Sequence, residues 1–369
     1  PGHMSFLPSF RGIYRHAAQA RESPDVRKVD SPTVKFGILG AANIAPSALL
    51  APASRNPDVV VVAVAARDVN KAKQYATKHK IPVVCDSYDE LLSLDDINAV
   101  YNPLPNALHC EWTLKALNAG KHVLCEKPMS SNASEAEQMT SVANEKKLVL
   151  VEAFHYRYHP AALRAKKIIT EELGKIEYIE TEFSMPNWLG GKLFPKDDIR
   201  FNLSLAGGIF MDAGCYPSNM IRYFSGEEPE VTAAKDLGLI SEGVEKGIEV
   251  DVKFPSGATG KVIATFFSNK WFPEFGRVVV KGENGTLVAS GLIVAHAKNS
   301  ITFTPKDGKS RTEMLYTDDG MTTYEYQLRA FVERVKGDET ATPTDAKDAI
   351  LNMTFIDSVY KAAGLPARQ

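Results

Sequence analysis

This chain of 369 residues lacks most of the features by which a sequence declares an unusual environment. Its four cysteines, Cys85, Cys110, Cys125 and Cys215, form no CxxC pair and have no histidines at ligand spacing, so neither a disulfide scaffold nor a zinc knuckle is expected. Isolated thiols suit a reducing compartment, and cytoplasmic residence is the expectation. The longest apolar run covers 59–66, far short of the roughly eighteen residues that a membrane span needs. A net charge of -2 offers no basic field to nucleic acid and includes no acidic tail. His155 and His159 are one helical turn apart, but Pro160 follows and no HExxH surrounds them, so no metal is expected. Internal repeats and low-complexity segments are missing too.

What is present is ordinary globular material: 44% hydrophobic and 24% charged residues, in a chain long enough for two domains. Pro1-Gly2-His3 ahead of Met4 looks like a cloning remnant. Residues 4–21 carry three arginines and no acid, with Phe6, Leu7, Phe10 and Tyr14 available to one face. That composition overlaps with a mitochondrial transit peptide, yet Glu22 and Asp25 follow closely. Residues 1–33 are therefore read as an N-terminal arm lying on the protein or on a partner copy, with mitochondrial targeting as the alternative.

From residue 34 the pattern is strand, turn, helix, repeated. Val34, Phe36, Ile38 and Leu39 make a short buried strand. Gly40, Ala42, Asn43 and Ile44 then form a turn into a helix with Pro46 near its start, where a missing N–H costs little. Gly40 and Ala45 occupy the first and last positions of a dinucleotide-binding G-x-G-x-x-G/A turn, but Ala42 replaces the middle glycine. The second strand, 59–66, is almost all Val and Ala, as in a parallel sheet covered on both faces. It ends in Arg67-Asp68. An arginine there offers a fork of donors to a ribose 2′-phosphate, or simply starts the next helix and meets solvent. A helix over 71–79, a strand over 83–85 and a short helix over 91–94 follow, which argues for a doubly wound parallel sheet.

The most informative stretch is 98–128, NAVYNPLPNALHCEWTLKALNAGKHVLCEKP. It reads as a strand over 98–101, a turn, a helix with Leu108, Trp112, Leu114 and Leu117 at helical spacing, and a second strand over 122–125. Ligands of an open parallel sheet bind outside the carboxyl ends of its strands. Asn102, Pro103, Leu104, Asn106 and His109 after the first strand, and Glu126-Lys127-Pro128 after the second, should therefore line one cofactor site. Pro128 restricts its predecessor, and the bond between them is a candidate for cis. A helix over 134–146 and a strand over 148–153 complete a Rossmann domain of 34–153.

The turn 154–160, FHYRYHP, follows on the same edge. Tyr156 beside Arg157 can wall a nicotinamide and bind a hydroxylated substrate, or the aromatics can seal a domain junction. Beyond residue 175, alternating residues in several segments separated by glycine turns predict a large, mostly antiparallel open β-sheet in a second domain of 154–369, an α+β unit beside the α/β one. In its midst lies 205–217, LAGGIFMDAGCYP, a helix after paired glycines in which Asp212 and Tyr216 share one face. These two are either a buried hydrogen-bonded pair or part of a site. Amphipathic helices over 324–336 and 346–363 should pack between the domains, back toward the Rossmann domain.

The 98–128 stretch resembles the signature of the glucose-fructose oxidoreductase, inositol dehydrogenase and MocA (Gfo/Idh/MocA) family. Residues 154–160 resemble its tyrosine-arginine-x-histidine-proline turn, and 207–216 its glycine-glycine…aspartate-x-glycine-x-tyrosine or histidine motif. Tyrosine at 216 looks like the branch of sugar oxidoreductases, xylose dehydrogenases and dimeric dihydrodiol dehydrogenases. The resemblance covers about 34–366 and departs from the pattern at Ala42 and in the arm. It implies an NADP-dependent oxidoreductase with Lys127 catalytic, Arg67 on the 2′-phosphate, and a homodimer formed through the second domain's sheet. The reaction expected is hydride transfer from the C1-OH of an aldopyranose, such as a D-xylose- or D-glucose-like sugar, giving a lactone, or from a vicinal diol.

In that reaction the protein must handle the hydroxyl proton. Tyr216 is the expected acid/base. Lys127 should lower its pKa from about 10 while holding the substrate oxygen, and Asp212 should accept from a neighbouring hydroxyl. Tyr156, Phe183, Trp188 and Trp271 are candidate walls for a sugar ring. Two alternatives stand beside this reading: a non-catalytic NADP-binding regulator, and a reductase of a dicarbonyl or dihydrodiol-type metabolite.

Overall fold

A computed structural model of the protein describes residues 33–194, 198–316, 320–341 and 343–369. The expected arm, apart from Thr33, lies outside the described residues. Strands β1 (Val34–Leu39), β2 (Val59–Ala65), β3 (Val83–Cys85), β4 (Ala99–Asn102), β5 (His122–Cys125) and β6 (Leu150–Glu152) form a parallel sheet in the order β3-β2-β1-β4-β5-β6. The order reverses direction between β1 and β4, which opens a crevice at the carboxyl ends of those strands. Helix α1 (Val69–His79) connects β2 to β3. Helix α2 (His109–Asn118) connects β4 to β5, and α3 (Ala133–Lys146) connects β5 to β6. The helix expected straight after Pro46 begins instead as a wide π turn, Pro46–Leu50, before one α turn, Ala51–Arg55.

Helix α4 (Pro160–Glu171) leads into the second sheet. Its strands are β7 (Ile176–Pro186), β8 (Glu230–Asp236), β11 (Gly247–Lys253), β12 (Thr259–Ser268), β13 (Glu274–Gly282), β14 (Gly285–Ser290), β15 (Ser300–Pro305) and β16 (Arg311–Glu313), with β9 (Leu239–Ser241) and β10 (Val244–Glu245) forming a separate hairpin. The order is β16-β15-β14-β13-β7-β12-β11-β8, and every pair is antiparallel except β7 with β12. The alternation expected from the sequence sends Ile179, Thr181, Phe183 and Met185 inward. They meet helix α5 (Cys215–Ser225), whose Pro217 carbonyl accepts from Thr181 Oγ1 at 2.8 Å.

The last two helices do not both lie between the domains. Helix α6 (Thr323–Val335) opens with a Thr322/Glu325 capping box and lays Leu328, Phe331 and Val332 on the parallel sheet, in one core with Phe36 and Ile38. A parallel sheet must be covered on both faces, and the helical segment after β1 is too short to do this alone. Helix α7 (Ala346–Ala362) does bridge. Its first turn packs Ala346 and Ala349 with Met139 and Ala143 of α3, while Met353, Ile356, Val359 and Tyr360 enter the core of the second sheet. Among the described residues no helix is long and apolar enough to cross a membrane, and no group of three His, Cys, Asp or Glu side chains could hold a metal ion.

Candidate active site

One cleft of about 670 Å³ runs from the carboxyl ends of β1 and β2 to the start of α5, within the size range of cofactor and substrate sites. At its outer end Gly40 takes φ +94°, and its N–H donates to Ala65 O at 2.7 Å. A Cβ at Gly40 would stand 3.2 Å from Leu104 Cδ2, so glycine lets the first turn close against the turn after β4. Tyr75 Oη donates to Ala42 O at 3.1 Å and holds the same turn from α1. Exposed Arg67 and Lys71 line the rim. Asp68 is committed elsewhere: its carboxylate caps α1, accepting from the N–H groups of Asn70 and Lys71 at 2.9 and 3.3 Å. With the acid at the end of β2 engaged and two cations on the rim, the residues suit a ribose bearing a 2′-phosphate rather than a bare diol.

At the inner end the turn after β5 meets the second domain. The Lys127-Pro128 bond is cis. Lys127 Nζ donates to the Asp212 carbonyl at 2.7 Å and to Asp212 Oδ1 at 3.1 Å. Asp212 Oδ2 accepts from Arg200 Nε at 2.7 Å, and Arg200 Nη1 also reaches Asp198 at 3.0 Å. Burial alone would raise the Asp212 pKa, but Lys127 and Arg200 outweigh it and hold the carboxyl well below the usual range. Burial also opposes the charge on Lys127, and Asp212 outweighs that, so the ammonium is kept. His109 ties the two turns together, with Nδ1 2.8 Å from Pro128 O and Nε2 2.7 Å from Leu104 O. Burial pulls its pKa down to about 4 against those carbonyls.

The helical segment bearing Asp212 also departs from the expected regular helix: it starts as a π turn, Phe210–Gly214, before α5. The paired glycines before it answer to space. A Cβ on Gly207 would fall 2.5 Å from Asn202 O, and one on Gly208, at φ +149°, would fall 2.6 Å from Tyr360 Oη. Tyr216 reaches the cleft from the first turn of α5, its ring stacked with that of Phe183, centroids 6.4 Å apart. Its hydroxyl does not meet Lys127. It lies 3.0 Å from His155 Nε2, while Lys127 Nζ stands 5.1 Å from the centre of the ring. Burial, with Tyr324 and Glu126 nearby, pushes the phenol well above its ordinary pKa, opposite to the lowering expected from the lysine.

Of the residues expected here, Gly40, Ala42, Asn43, Ile44, Arg67, Pro103, Leu104, Asn106, His109, Glu126, Lys127, Asp212 and Tyr216 all border the cleft. Four do not. Asn102 turns inward to bond His109 O and Thr113 Oγ1. Tyr156 is fully buried, donating to Asn219 Oδ1 at 2.7 Å. Arg157 bonds Asn219 and Asp348 and lies over the Tyr223 ring, so this pair packs against α5 and α7. Trp188 is half exposed and donates to the carbonyl of Trp271, itself 81% exposed, away from the cleft. Arg200 and Tyr324 border the cleft without having been expected. Arg200 stands in a loop with no periodicity, and Tyr324 opens a helix that reads only as packing.

A glycine turn at a sheet reversal, basic residues at the next strand end and a buried lysine at the far end define a dinucleotide-dependent oxidoreductase. Residues 34–154 match the model of the oxidoreductase family with an NAD-binding Rossmann fold, and 162–288 match the GFO/IDH/MocA C-terminal domain. The chain belongs to the Gfo/Idh/MocA family. It is 34% identical over 330 residues to D-xylose 1-dehydrogenase (NADP(+)) 2 of Haloferax volcanii, a match covering 89% of this chain and 97% of that one. It is 31% identical to trans-1,2-dihydrobenzene-1,2-diol dehydrogenase of Xenopus tropicalis, over 63% of this chain and 68% of that one. A crystal structure of a 3-ketoreductase from Actinomadura kijaniata with NADP and TDP-benzene superposes with a TM-score of 0.78 at 27% identity, covering 90% and 98% of the two chains. The protein is thus a nicotinamide-dependent dehydrogenase or reductase, which takes the enzyme reading over the regulatory one, and NADP is the cofactor named for two of these three relatives.

Proposed function

We propose that the protein uses NADP to oxidise an aldopyranose at C1-OH, as in a D-xylose- or D-glucose-like sugar, with Tyr216 as acid/base and Lys127 as the group that holds the reacting oxygen. The observation that carries this reading is that Lys127, from one domain, bonded to Asp212 from the other, and Tyr216 line the same inner end of the cleft. When bound, the cofactor supplies the hydride acceptor or donor. Asp212 takes up two of the three ammonium donors of Lys127, and the third is left for a substrate oxygen. Arg200 fixes the other carboxylate oxygen, so that Lys127 is aimed by a group that cannot swing. Tyr216 stays protonated through neutral pH, which suits donation to a carbonyl. That observation favours a second reading, reduction of a keto-sugar or dicarbonyl, by the same residues. Residues 154–369 then serve as the substrate and pairing domain. The exposed face of the eight-stranded sheet is the surface we assign to a homodimer, and the four buried free thiols fit a reducing compartment such as the cytoplasm.

The test is nicotinamide absorbance with NADP or NAD and a panel of aldoses, diols and dicarbonyls. NADP-dependent turnover of an aldopyranose is expected to fall by about a hundredfold or more in Tyr216→Phe and in Lys127→Ala, with NADP still bound. Turnover of dicarbonyls alone would move the assignment to the reductase. Full activity in both variants would overturn the roles given to the two residues.

A further inference from the structure

The hydroxyl of Tyr216 is the inner end of a line of polar groups. His155 Nε2 lies 3.0 Å from it, and His155 Nδ1 lies 2.8 Å from Thr323 Oγ1. Thr323 Oγ1 lies 3.3 Å from Nδ1 of His296. His155 and Thr323 are buried, whereas His296 is only partly buried and lies toward the surface. The line thus leads from the wall of the cleft outward through the interior.

Its polarity is set at the outer end. The backbone N–H of Thr323, in the first turn of α6, also points at His296 Nδ1, at 3.4 Å. A backbone N–H can only donate, so that nitrogen is an acceptor. The Thr323 hydroxyl then donates to it and accepts from His155 Nδ1–H. A neutral imidazole with its proton on Nδ1 presents Nε2 as an acceptor, which takes the hydrogen bond from Tyr216. Every link therefore donates in the same direction, from Tyr216 outward.

We infer that His155, Thr323 and His296 form a proton relay that connects Tyr216 to solvent. The inference rests on the reading of Tyr216 as the acid/base. In the oxidative direction the substrate carbon loses hydride to the nicotinamide and its oxygen loses a proton to Tyr216 Oη. The phenolic proton passes to His155 Nε2, the Nδ1 proton of His155 to Thr323 Oγ1, and the threonine proton to His296 Nδ1, as the Nε2 proton of that imidazole leaves to water. One hydride and one proton leave the alcohol, and Tyr216 is never left as a bare phenolate in its buried setting. Reduction runs the same line inward. The charged and titratable groups packed around the pair are Tyr324 from α6, its ring 4.0 Å from that of His155, Asp212 and Cys215 before Tyr216, Glu126 and Lys127 from the turn after β5, and Arg157 and His159 on the segment of His155 itself. His155, Thr323 and His296 act through Tyr216 and are positioning residues.

The experiment uses the full chain with NADP and D-xylose, in water and in D2O, across the range in which histidine titrates, about pH 5 to 8. The variants are His155→Leu, His155→Ala, Thr323→Val, His296→Gln and Tyr216→Phe. The relay predicts that Thr323→Val and His155→Leu lower kcat by about ten- to a hundredfold with KM nearly unchanged, alter the pH profile and the solvent isotope effect, and that imidazole partly restores His155→Ala. Should His155→Leu fail to fold, Thr323→Val and His296→Gln carry the same readouts. A second measurement needs no turnover: in protein labelled with 15N-histidine, the His155 Nε2 signal should be that of an unprotonated acceptor and should shift in Tyr216→Phe. A Thr323→Val enzyme with unaltered kcat, pH profile and isotope effect, or a His155 protonated at Nε2, would overturn the relay. An active Tyr216→Phe enzyme would instead remove the acid/base reading, and the relay with it.

Discussion

Glu152 closes β6 with its side chain fully buried. One oxygen accepts from Met129 N–H at 2.8 Å, and the other has no hydrogen-bond partner among the described residues. Burial first, then the nearby Asp348, pushes its pKa up to about 8. Between its ordinary value and that one, the folded chain binds a proton that the unfolded chain has released, so stability falls as pH rises through this window. Asp212 has the opposite sign: its depressed pKa gives stability that is present at neutral pH and lost only in strong acid. Glu152→Gln keeps the bond to Met129 and removes the titration. Thermal melts should show the variant gaining on the parent from pH 5 to pH 9, by on the order of 1 to 3 kcal/mol at the alkaline end. A gap that does not change with pH would refute the assignment.

The element that carries Asp212 is pinned at its start by a distant part of the chain. Glu245 Oε1 accepts from Phe210 N–H at 2.8 Å and from Tyr360 Oη at 2.9 Å, and Glu245 Oε2 accepts from Arg368 Nη2 at 2.6 Å. The Arg368 guanidinium lies 4.0 Å from the centre of the Tyr360 ring, and both charged side chains of the pair are fully buried. Removing one partner of such a pair leaves the other charge uncompensated. Arg368→Ala should therefore cost about 3 to 5 kcal/mol in denaturant unfolding, and kcat should fall as the Phe210–Gly214 turn loosens. An unchanged unfolding midpoint would show that the pair contributes nothing net.

On the scale of the whole molecule, the two sheets do not own separate stretches of chain. Helix α6 completes the core of the parallel sheet, with the Phe331 ring 5.5 Å from that of Phe36, although the entire second sheet lies between them in sequence. Helix α7 shares its buried residues between both cores. The cleft between the sheets is thus held by the two helices that end the chain's path. Phe331→Ala should cost about 3 to 5 kcal/mol. Amide exchange should quicken in β1 and β4, far upstream, before it does so in the second sheet. Faster exchange confined to α6 would show that the helix is a dispensable cover.

By itself the sequence determined the local signals: periodicity, turn residues and capping. These suffice for the six strands of the parallel sheet, the alternating strands of the second, and the turns that carry Gly40, Arg67 and Lys127, because each depends on neighbours a few residues away. The 98–128 stretch needed no tertiary information to mark Lys127. Only the tertiary structure decided which side chains meet. Lys127 and Asp212 are 85 positions apart, Tyr216 and His155 61, His155 and Thr323 168. Arg200 and Tyr324 had no local pattern to betray them. The same limit explains Tyr156, Arg157 and Trp188: aromatic and basic residues beside a strand end suit a site wall and a domain junction equally well. Burial, which is settled by packing against α5 and α7, is what separates the two. It also reversed the expected effect on Tyr216, since a lysine can lower a phenol's pKa only where it reaches the oxygen, and here it faces the ring.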